Sequence, residues 1–209
     1  MRYTSPLQTP GVYIKEIDAF PPSVAQVATA IPAFIGYTQN HPITEPTRIT
    51  SLLEYEQIFG GPPPAASVTV VLDATNLPTA DTVFTASNYK LYNSLQLFYA
   101  NGGGVCYIVS VGSYTTAIAG ATLKAGLDLL ESFDEPTLIL FPDAIHSADA
   151  AELGNLQKDA LMQCAKLQDR FVIMDVMQEN GIVADCDEFR NRVGNQDLKY
   201  GAAYYPYLN

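Results

Sequence analysis

Residues 9–38, TPGVYIKEIDAFPPSVAQVATAIPAFIGYT, decide the fold of this chain because they hold two strand-like runs joined by a proline-broken spacer. The first run alternates apolar and polar residues, which is typical of an extended segment with one apolar edge. The second run, residues 30–37, is nearly all apolar and carries no charge, so we predict a strand covered on both faces. Pro21 and Pro22 between the runs disfavour helix and favour a semi-rigid link.

The first run is expected to act as a strand on a tether. We expect residues 1–24 to form an extended N-terminal linking arm and residues 25–209 to form the core domain. A free strand needs a sheet edge with which to pair, so we expect this one to pair with a neighbouring subunit. The residues of the predicted linking strand are Val12, Tyr13, Ile14, Lys15, Glu16 and Ile17.

The composition limits the classes of function that the chain can have. The chain has 209 residues, of which 48% are hydrophobic and only 16% charged, against about 25% charged residues in a typical globular protein. This shortage of charge indicates surface in contact with partners. The net charge of −11 disfavours a nucleic-acid partner. No run of about 20 apolar residues exists, so we expect no membrane insertion; the first ten residues lack a secretory signal, which predicts folding in a cytoplasm.

The three cysteines, Cys106, Cys164 and Cys186, have no metal-binding or redox spacing. Cys106 lies in an apolar strand-like run and Cys164 on the apolar face of a helix-like run. We therefore predict buried thiols that act as small hydrophobic side chains.

The first part of the chain predicts a small β-rich element beside the core, over about residues 47–86. Residues 47–50 read as a short extended piece, and Ser51 with Glu54 has the capping-box spacing that begins a helix. Glycines and prolines at residues 60–64 end that helix, and two further strand-like runs follow.

From residue 87 helix and strand patterns alternate. Apolar runs predict core strands near residues 31–37, 105–111, 137–141 and 171–176, with amphipathic helices between the later ones. Asp185 with Glu188 has a second capping-box spacing, which predicts the start of a short helix. We therefore predict an α/β fold with a mostly parallel sheet, helices on both faces, a small β-rich element and an extended N-terminal arm.

Two carboxylates offer the best case for catalysis. Asp143 and Asp175 follow predicted neighbouring strands near their carboxyl ends, where open α/β sheets place ligands. Together they could bind Mg²⁺, which would make the chain a metal-dependent hydrolase. In that case Mg²⁺ would raise the thermal stability and Asp143→Asn would abolish the effect. The favoured interpretation is a helix cap for Asp143 and a loop hydrogen bond for Asp175.

Other chemical motifs are weaker still. The glycines at residues 102–104 close a predicted helix and enter a strand, whereas a phosphate-binding loop follows a strand and opens a helix. His41 and His146 fall in separate predicted loops without a second histidine beside them. The tyrosine-rich residues 200–207 read as packing or interface. We expect no catalytic, cofactor-binding or metal-binding residues, and no enzyme activity.

Six separated blocks resemble one family, the tail sheath proteins of contractile phages and of phage-tail-like contractile injection systems. In chain order they are TPGVYIKEI at 9–17, AIPAFIGYT at 30–38, FYANGGGVCY at 98–107, TLILFPDA at 137–144, DRFVIMD at 169–175 and KYGAAYYP at 199–206. Each block alone is weak, but six in the same order across the chain form a specific resemblance.

The resemblance implies a structural subunit. Such subunits stack in rings around an inner tube and are linked by exchanged strands, and the sheath contracts from a metastable extended lattice to a shorter, wider one without a cofactor. The implied partners are other sheath subunits, which can include paralogues, the inner tube protein, and the baseplate and tail-terminator proteins. Assembly in the cytoplasm of the producing cell would precede release as part of a phage tail or injection particle.

The resemblance also implies that part of the subunit is absent. Members usually continue past the KYGAAYYP block into a C-terminal domain that faces the inner tube. We therefore expect this chain to represent the N-terminal portion of a subunit, without that tube-facing domain.

Overall fold

The computed structural model describes residues 30–41, 45–79, 83–147, 149–178 and 180–205. The predicted linking strand at residues 12–17 lies outside this range. In chain order the described elements are β1 (Pro32–Thr38), β2 (Thr47–Ile49), α1 (Leu52–Phe59), β3 (Ser67–Thr69), β4 (Val83–Thr85), α2 (Leu91–Ala100), β5 (Cys106–Ser113), α3 (Gly120–Leu130), β6 (Leu138–Leu140), α4 (Ala150–Leu167), β7 (Phe171–Asp175), α5 (Ile182–Val193) and β8 (Gly201–Tyr204).

The main sheet has six strands in the order β2-β5-β1-β6-β7-β8. The pairs β1–β5, β1–β6, β6–β7 and β7–β8 are parallel, and β2 alone in this sheet runs antiparallel, along β5. β3 and β4 form a separate two-stranded antiparallel sheet. The predicted α/β class with a mostly parallel sheet is confirmed.

One face of the sheet is covered by α3 and α4. Alternate residues of the central strands point to this face, among them Ile35 of β1, Val109 of β5 and Ile139 of β6, all of them buried. They pack against leucines of the two helices, including Leu127 and Leu156. β1 and β5 carry apolar residues on both sides because helices cover both of their faces.

The opposite face is covered by α1 and α2 over β2, β5 and β1. Phe34 of β1 and Ile108 of β5 point to this side and are buried beneath Tyr55, Phe59 and Leu95 of the helices. The predicted arrangement of helices on both faces is therefore confirmed, and the second face has its own core cluster.

The predicted β-rich element is smaller than residues 47–86. β2 belongs to the main sheet, where Ile49 pairs with Cys106 and is completely buried. α1 packs on the same sheet. β2 belongs to the main sheet and α1 packs on it because Ile49 is buried. The side chain of Ile49 on this edge strand must be covered, and α1 covers it. Among the described residues, β3, β4 and residues 70–79 after β3 stand apart from the main sheet, and we call them the β3–β4 hairpin.

The two predicted capping boxes had different outcomes. At α1 the Ser51 hydroxyl accepts the backbone N–H of Glu54 at 3.2 Å as predicted, although the Glu54 carboxylate accepts from Thr50 rather than from the serine. The box predicted at Asp185 is wrong, because the N-cap of α5 is Gly181, four residues earlier. The Asp185 carboxylate lies inside the first turn and accepts the backbone N–H of Asn180 at 2.7 Å.

Helix α3 lies unusually close to the sheet at Gly126. A Cβ added there would lie 2.5 Å from Cγ1 of Val111 and 2.7 Å from Cγ2 of Ile35. Both neighbours are β-branched and cannot turn away easily. The glycine therefore sets the spacing between α3 and the sheet.

We predict that Gly126→Val lowers the free energy of unfolding by about 1–3 kcal/mol, because overpacking displaces the helix. Chemical denaturation measures the effect. Ala125→Val is the matched control, because Ala125 is the preceding residue of the same helix and is exposed; its cost is expected to be a few tenths of a kcal/mol. Equal losses in the two variants would contradict the close approach.

Candidate interaction surfaces

Asp143 is a structural carboxylate that ties three segments together. It follows β6 and is completely buried. Its Oδ2 accepts the backbone N–H of Tyr37 at 2.7 Å, and its Oδ1 accepts the backbone N–H groups of Lys90 and of Leu91, the latter at 3.0 Å. Asp143 thus caps α2 across space, since the residue preceding this helix has no side-chain cap of its own. The interpretation of Asp143 as a helix cap agrees with this contact.

The surroundings of Asp143 are closely fitted. Burial raises the pKa of its carboxyl from 3.8 to about 6, although the three N–H donors and Lys90 oppose the shift. A Cβ on Gly36 would lie 2.5 Å from Oδ2, so β1 needs a glycine where it passes the carboxylate. Both oxygens are engaged by the backbone, and the group is therefore committed to the fold.

Asp175 lies at the end of β7, and burial raises the pKa of its carboxyl. Its backbone carbonyl accepts a hydrogen bond from the amide of Gln157 at 2.8 Å. Among the residues that the structure describes, no three His, Cys, Asp or Glu side chains come together as a metal would need. Because Asp143 is held by backbone donors, the proposed pair of carboxylates gives no support to a hydrolase.

The other candidate residues have structural surroundings. Gly102 has a φ of +84° at the end of α2, and the N–H of Gly103 donates to the carbonyl of Phe98 at 2.9 Å, so these glycines close a helix as predicted. Nδ1 of His41 lies 3.0 Å from the Ser110 hydroxyl.

The thiols of Cys106 and Cys164 are buried as predicted, and burial raises their pKa values to about 11 and about 12. Cys186 differs because it is only half-buried. All three are free. Within the same described stretches, no helix has the length and apolarity to cross a bilayer.

The second face of the sheet is open over β6, β7 and β8. On β7, Val172 and Met174 are buried towards α4, whereas Phe171 and Ile173 on the other side are only half-buried. No helix in the described ranges lies over this half of the sheet. Between α2 and these strands runs a groove of about 1020 Å³, which we call the open groove.

The open groove is mainly apolar, with polar groups towards the carboxyl ends of the strands. Leu97 of α2, Leu140 of β6 and Ile173 of β7 contribute apolar side chains, and Tyr204 of β8 closes the far side. Leu97 is 51% exposed and Tyr204 is 64% exposed. Such an apolar surface is typical of a contact site rather than of a free surface.

His146 adds an unsatisfied polar atom to this region. It lies in a single 3₁₀ turn after β6 and lines the open groove together with Lys90 and Asp175. Its Nε2 is buried and finds no hydrogen-bond partner in the described part of the chain. Burial lowers the pKa of the ring, with the nearby Lys90 adding to the shift, so the neutral ring carries one nitrogen able to accept.

The β3–β4 hairpin is the second exposed apolar surface. Val68 of β3 faces Phe84 of β4 across the pair, and these side chains are 57% and 67% exposed. Its apolar residues remain exposed along the rest of the ribbon, at Val70, Val71, Leu72, Leu77 and Val83. A two-stranded hairpin is marginally stable by itself, so this surface is expected to have a partner.

Sequence reasoning found neither surface. The open groove was hidden because β7 carries apolar residues on both faces, and periodicity cannot distinguish a face covered by a helix from one left open. The hairpin was predicted as strands, but its exposure depends on where β2 and α1 pack. The low charged fraction was the one signal that pointed to surface used by partners.

The fold of this chain is similar to that of a solved structure. No family model matches the chain, and no curated protein matches it. A cryo-EM structure of the anti-feeding prophage baseplate in its contracted state contains a chain that matches with a TM-score of 0.54 and 21% identity. The match covers 94% of this chain and 47% of that one, so the chain spans about half the length of its structural neighbour. At this identity the likeness concerns the fold.

We predict that Asp143→Ala lowers the free energy of unfolding by about 3 kcal/mol, because it leaves buried backbone N–H groups without an acceptor. Denaturant titration at neutral pH measures the loss. Asp128→Ala is the control, since Asp128 is exposed on α3 in an ion pair with Lys124 and such pairs contribute about 0–1 kcal/mol. An Asp143→Ala variant as stable as the control would show that the carboxylate does not hold these segments.

Proposed function

We propose that this chain is a subunit of a contractile tail sheath, which polymerises around an inner tube and contracts to drive that tube into a target cell envelope. The observation that carries the proposal is the similarity of fold, along 94% of the chain, to a chain in the anti-feeding prophage baseplate structure. The six sequence blocks that resemble sheath proteins lie in the same order along this chain and support the same conclusion.

The physical character of the described body suits this role. Contraction of a lattice requires subunits that move as near-rigid bodies, and a sheet with a core cluster on each face resists internal change. The buried Asp143 hydrogen bonds fix α2 to β1 and to the segment after β6. The exposed apolar surfaces lie outside these cores, where they can make and exchange contacts between subunits.

We infer that the chain has no catalytic role and needs no cofactor. The carboxylate best placed for chemistry, Asp143, serves the fold. The energy of contraction would be stored in the contacts of the extended lattice. The proposed partners are other sheath subunits, the inner tube protein, and the baseplate and tail-terminator proteins; assembly would take place in the cytoplasm of the producing cell.

We further propose that residues 1–24 form a linking arm and residues 25–209 a core domain. In the arm, residues 12–17 would pair with the sheet of a neighbouring subunit through backbone hydrogen bonds. Backbone pairing can survive a large rigid-body shift while the tether at Pro21 and Pro22 bends. The charges of residues 1–29 cancel, with Arg2 and Lys15 against Glu16 and Asp18, so the arm avoids the repulsion expected between strongly acidic copies.

Deleting residues 1–20 from the complete subunit is predicted to prevent cylinder formation while leaving the melting temperature of the domain nearly unchanged, because the arm would contact a neighbour rather than its own domain. Negative-stain electron microscopy of the undeleted and deleted subunits measures assembly, and calorimetry measures stability. The undeleted subunit should form long hollow cylinders.

Each result has a separate meaning. Discrete small particles from the undeleted subunit would contradict the sheath proposal itself. Cylinders of normal length from the deleted subunit would contradict the linking role alone. A deleted subunit that fails to fold would place the segment in the core.

A further inference from the structure

We propose that the β3–β4 hairpin of one subunit docks in the open groove of the next, as a head-to-tail contact between two copies of this chain. The inference deepens the sheath proposal by naming one contact of its lattice, and it rests on the polymer that this proposal implies. The described residues include two exposed apolar surfaces of different shape, the projecting hairpin and the concave groove.

The groove needs a cover of its own. β6, β7 and β8 are parallel, and parallel sheets are almost always covered on both faces. α4 covers one face of these strands, and the other carries the half-buried Leu140 and Ile173 beside the exposed Leu97. An apolar segment laid along this groove would complete the missing layer.

The hairpin has the chemistry of such a segment. Val68 and Phe84 lie opposite each other on one side of the ribbon, with Phe84 as its most exposed large side chain. Aromatic residues of this kind act as anchors in protein interfaces. The outer edges of a two-stranded ribbon also carry backbone N–H and C=O groups that can pair with a partner chain.

Charge favours this pair of surfaces. The chain has a net charge of −11, so two copies repel each other. Between Arg48 and Lys90 the sequence has no Lys or Arg, and in the hairpin loop Asp73 is engaged by its own backbone, accepting the N–H of Thr75 at 2.7 Å. The lining of the groove includes one lysine, Lys90, and one carboxylate, Asp175. Docking there brings together two surfaces of low net charge, because Lys90 and Asp175 offset each other in the groove and the Asp73 carboxylate is engaged within its own loop.

The geometry of the contact has a consequence for assembly. The two surfaces are different patches of the same chain, so the contact joins copies head to tail. Contacts of this type produce rings when the rotation closes and open helical polymers when it does not. A stacked sheath needs head-to-tail contacts whose rotation does not close, so that an open helical polymer forms.

Site-directed cross-linking tests the contact on the intact chain. Phe84→Cys and Leu97→Cys are made separately in a Cys186→Ser background, in which Cys106 and Cys164 remain buried. The two variants are mixed at high protein concentration and treated with a short bismaleimide. The control pairs Phe84→Cys with Met162→Cys on α4. Met162 is 53% exposed, close to the exposure of Leu97, and lies on the opposite side of the sheet. We expect the yield of cross-linked dimer from Phe84→Cys with Leu97→Cys to be several-fold higher than the yield from the control pair.

Three outcomes would overturn the inference. One is no product above the α4 control, and another is cross-linking of Phe84→Cys with itself, which would indicate a symmetric hairpin–hairpin contact. The third concerns a chain that carries both cysteines and is diluted with cysteine-free protein. If the cross-link within that chain still forms after dilution, the hairpin covers the groove of its own subunit. Cylinders that form without the Phe84–Leu97 cross-link would refute this contact and leave the sheath proposal standing.

Discussion

The architecture depends on one buried carboxylate. Burying a charged group is costly unless it is well paired, and Asp143 is completely buried. The cost is offset by hydrogen bonds from the backbone of Tyr37, Lys90 and Leu91, which join β1, the start of α2 and the segment after β6. Hydrogen bonds to a charged acceptor are stronger than neutral ones. They anchor α2 above β1 and β5, and in the part of the chain that the structure describes no helix covers the second face of β6, β7 and β8, where the open groove lies.

The same carboxylate lies where an α/β enzyme would present a catalytic or metal-binding residue. In enzymes of this class, polar residues at the carboxyl ends of the strands are presented to a ligand. Here the residue in that position is turned inward and serves the backbone. Two exposed surfaces of the described residues are mainly apolar, the open groove beside Leu97 and the hairpin around Phe84. Such surfaces recognise other polypeptides, which is consistent with the proposed role as a subunit that acts through contacts between copies.

Much of the fold was predictable because local signals agree with the packing. The uncharged apolar run before residue 38 gave β1, and the Ser51–Glu54 spacing gave the start of α1. The predicted helix start failed where contacts between distant parts of the chain determine the cap. Asp185 has the spacing of a cap, yet α5 begins earlier because Gly181, with a φ of +90°, supplies the turn. The capping role of Asp143 for α2 spans more than 50 residues, so local sequence could indicate a cap but not which helix it caps.

The most direct test of the account is hydrogen–deuterium exchange compared between the free subunit and assembled cylinders. The proposed subunit contacts lie on the β3–β4 hairpin and the open groove, and the two core clusters are unchanged by assembly. We therefore expect slower exchange in residues 67–85 and in β8 after assembly, with exchange in α3 and α4 unaltered. New protection confined to α3 and α4, with no change in the hairpin or in β8, would contradict the proposed contacts.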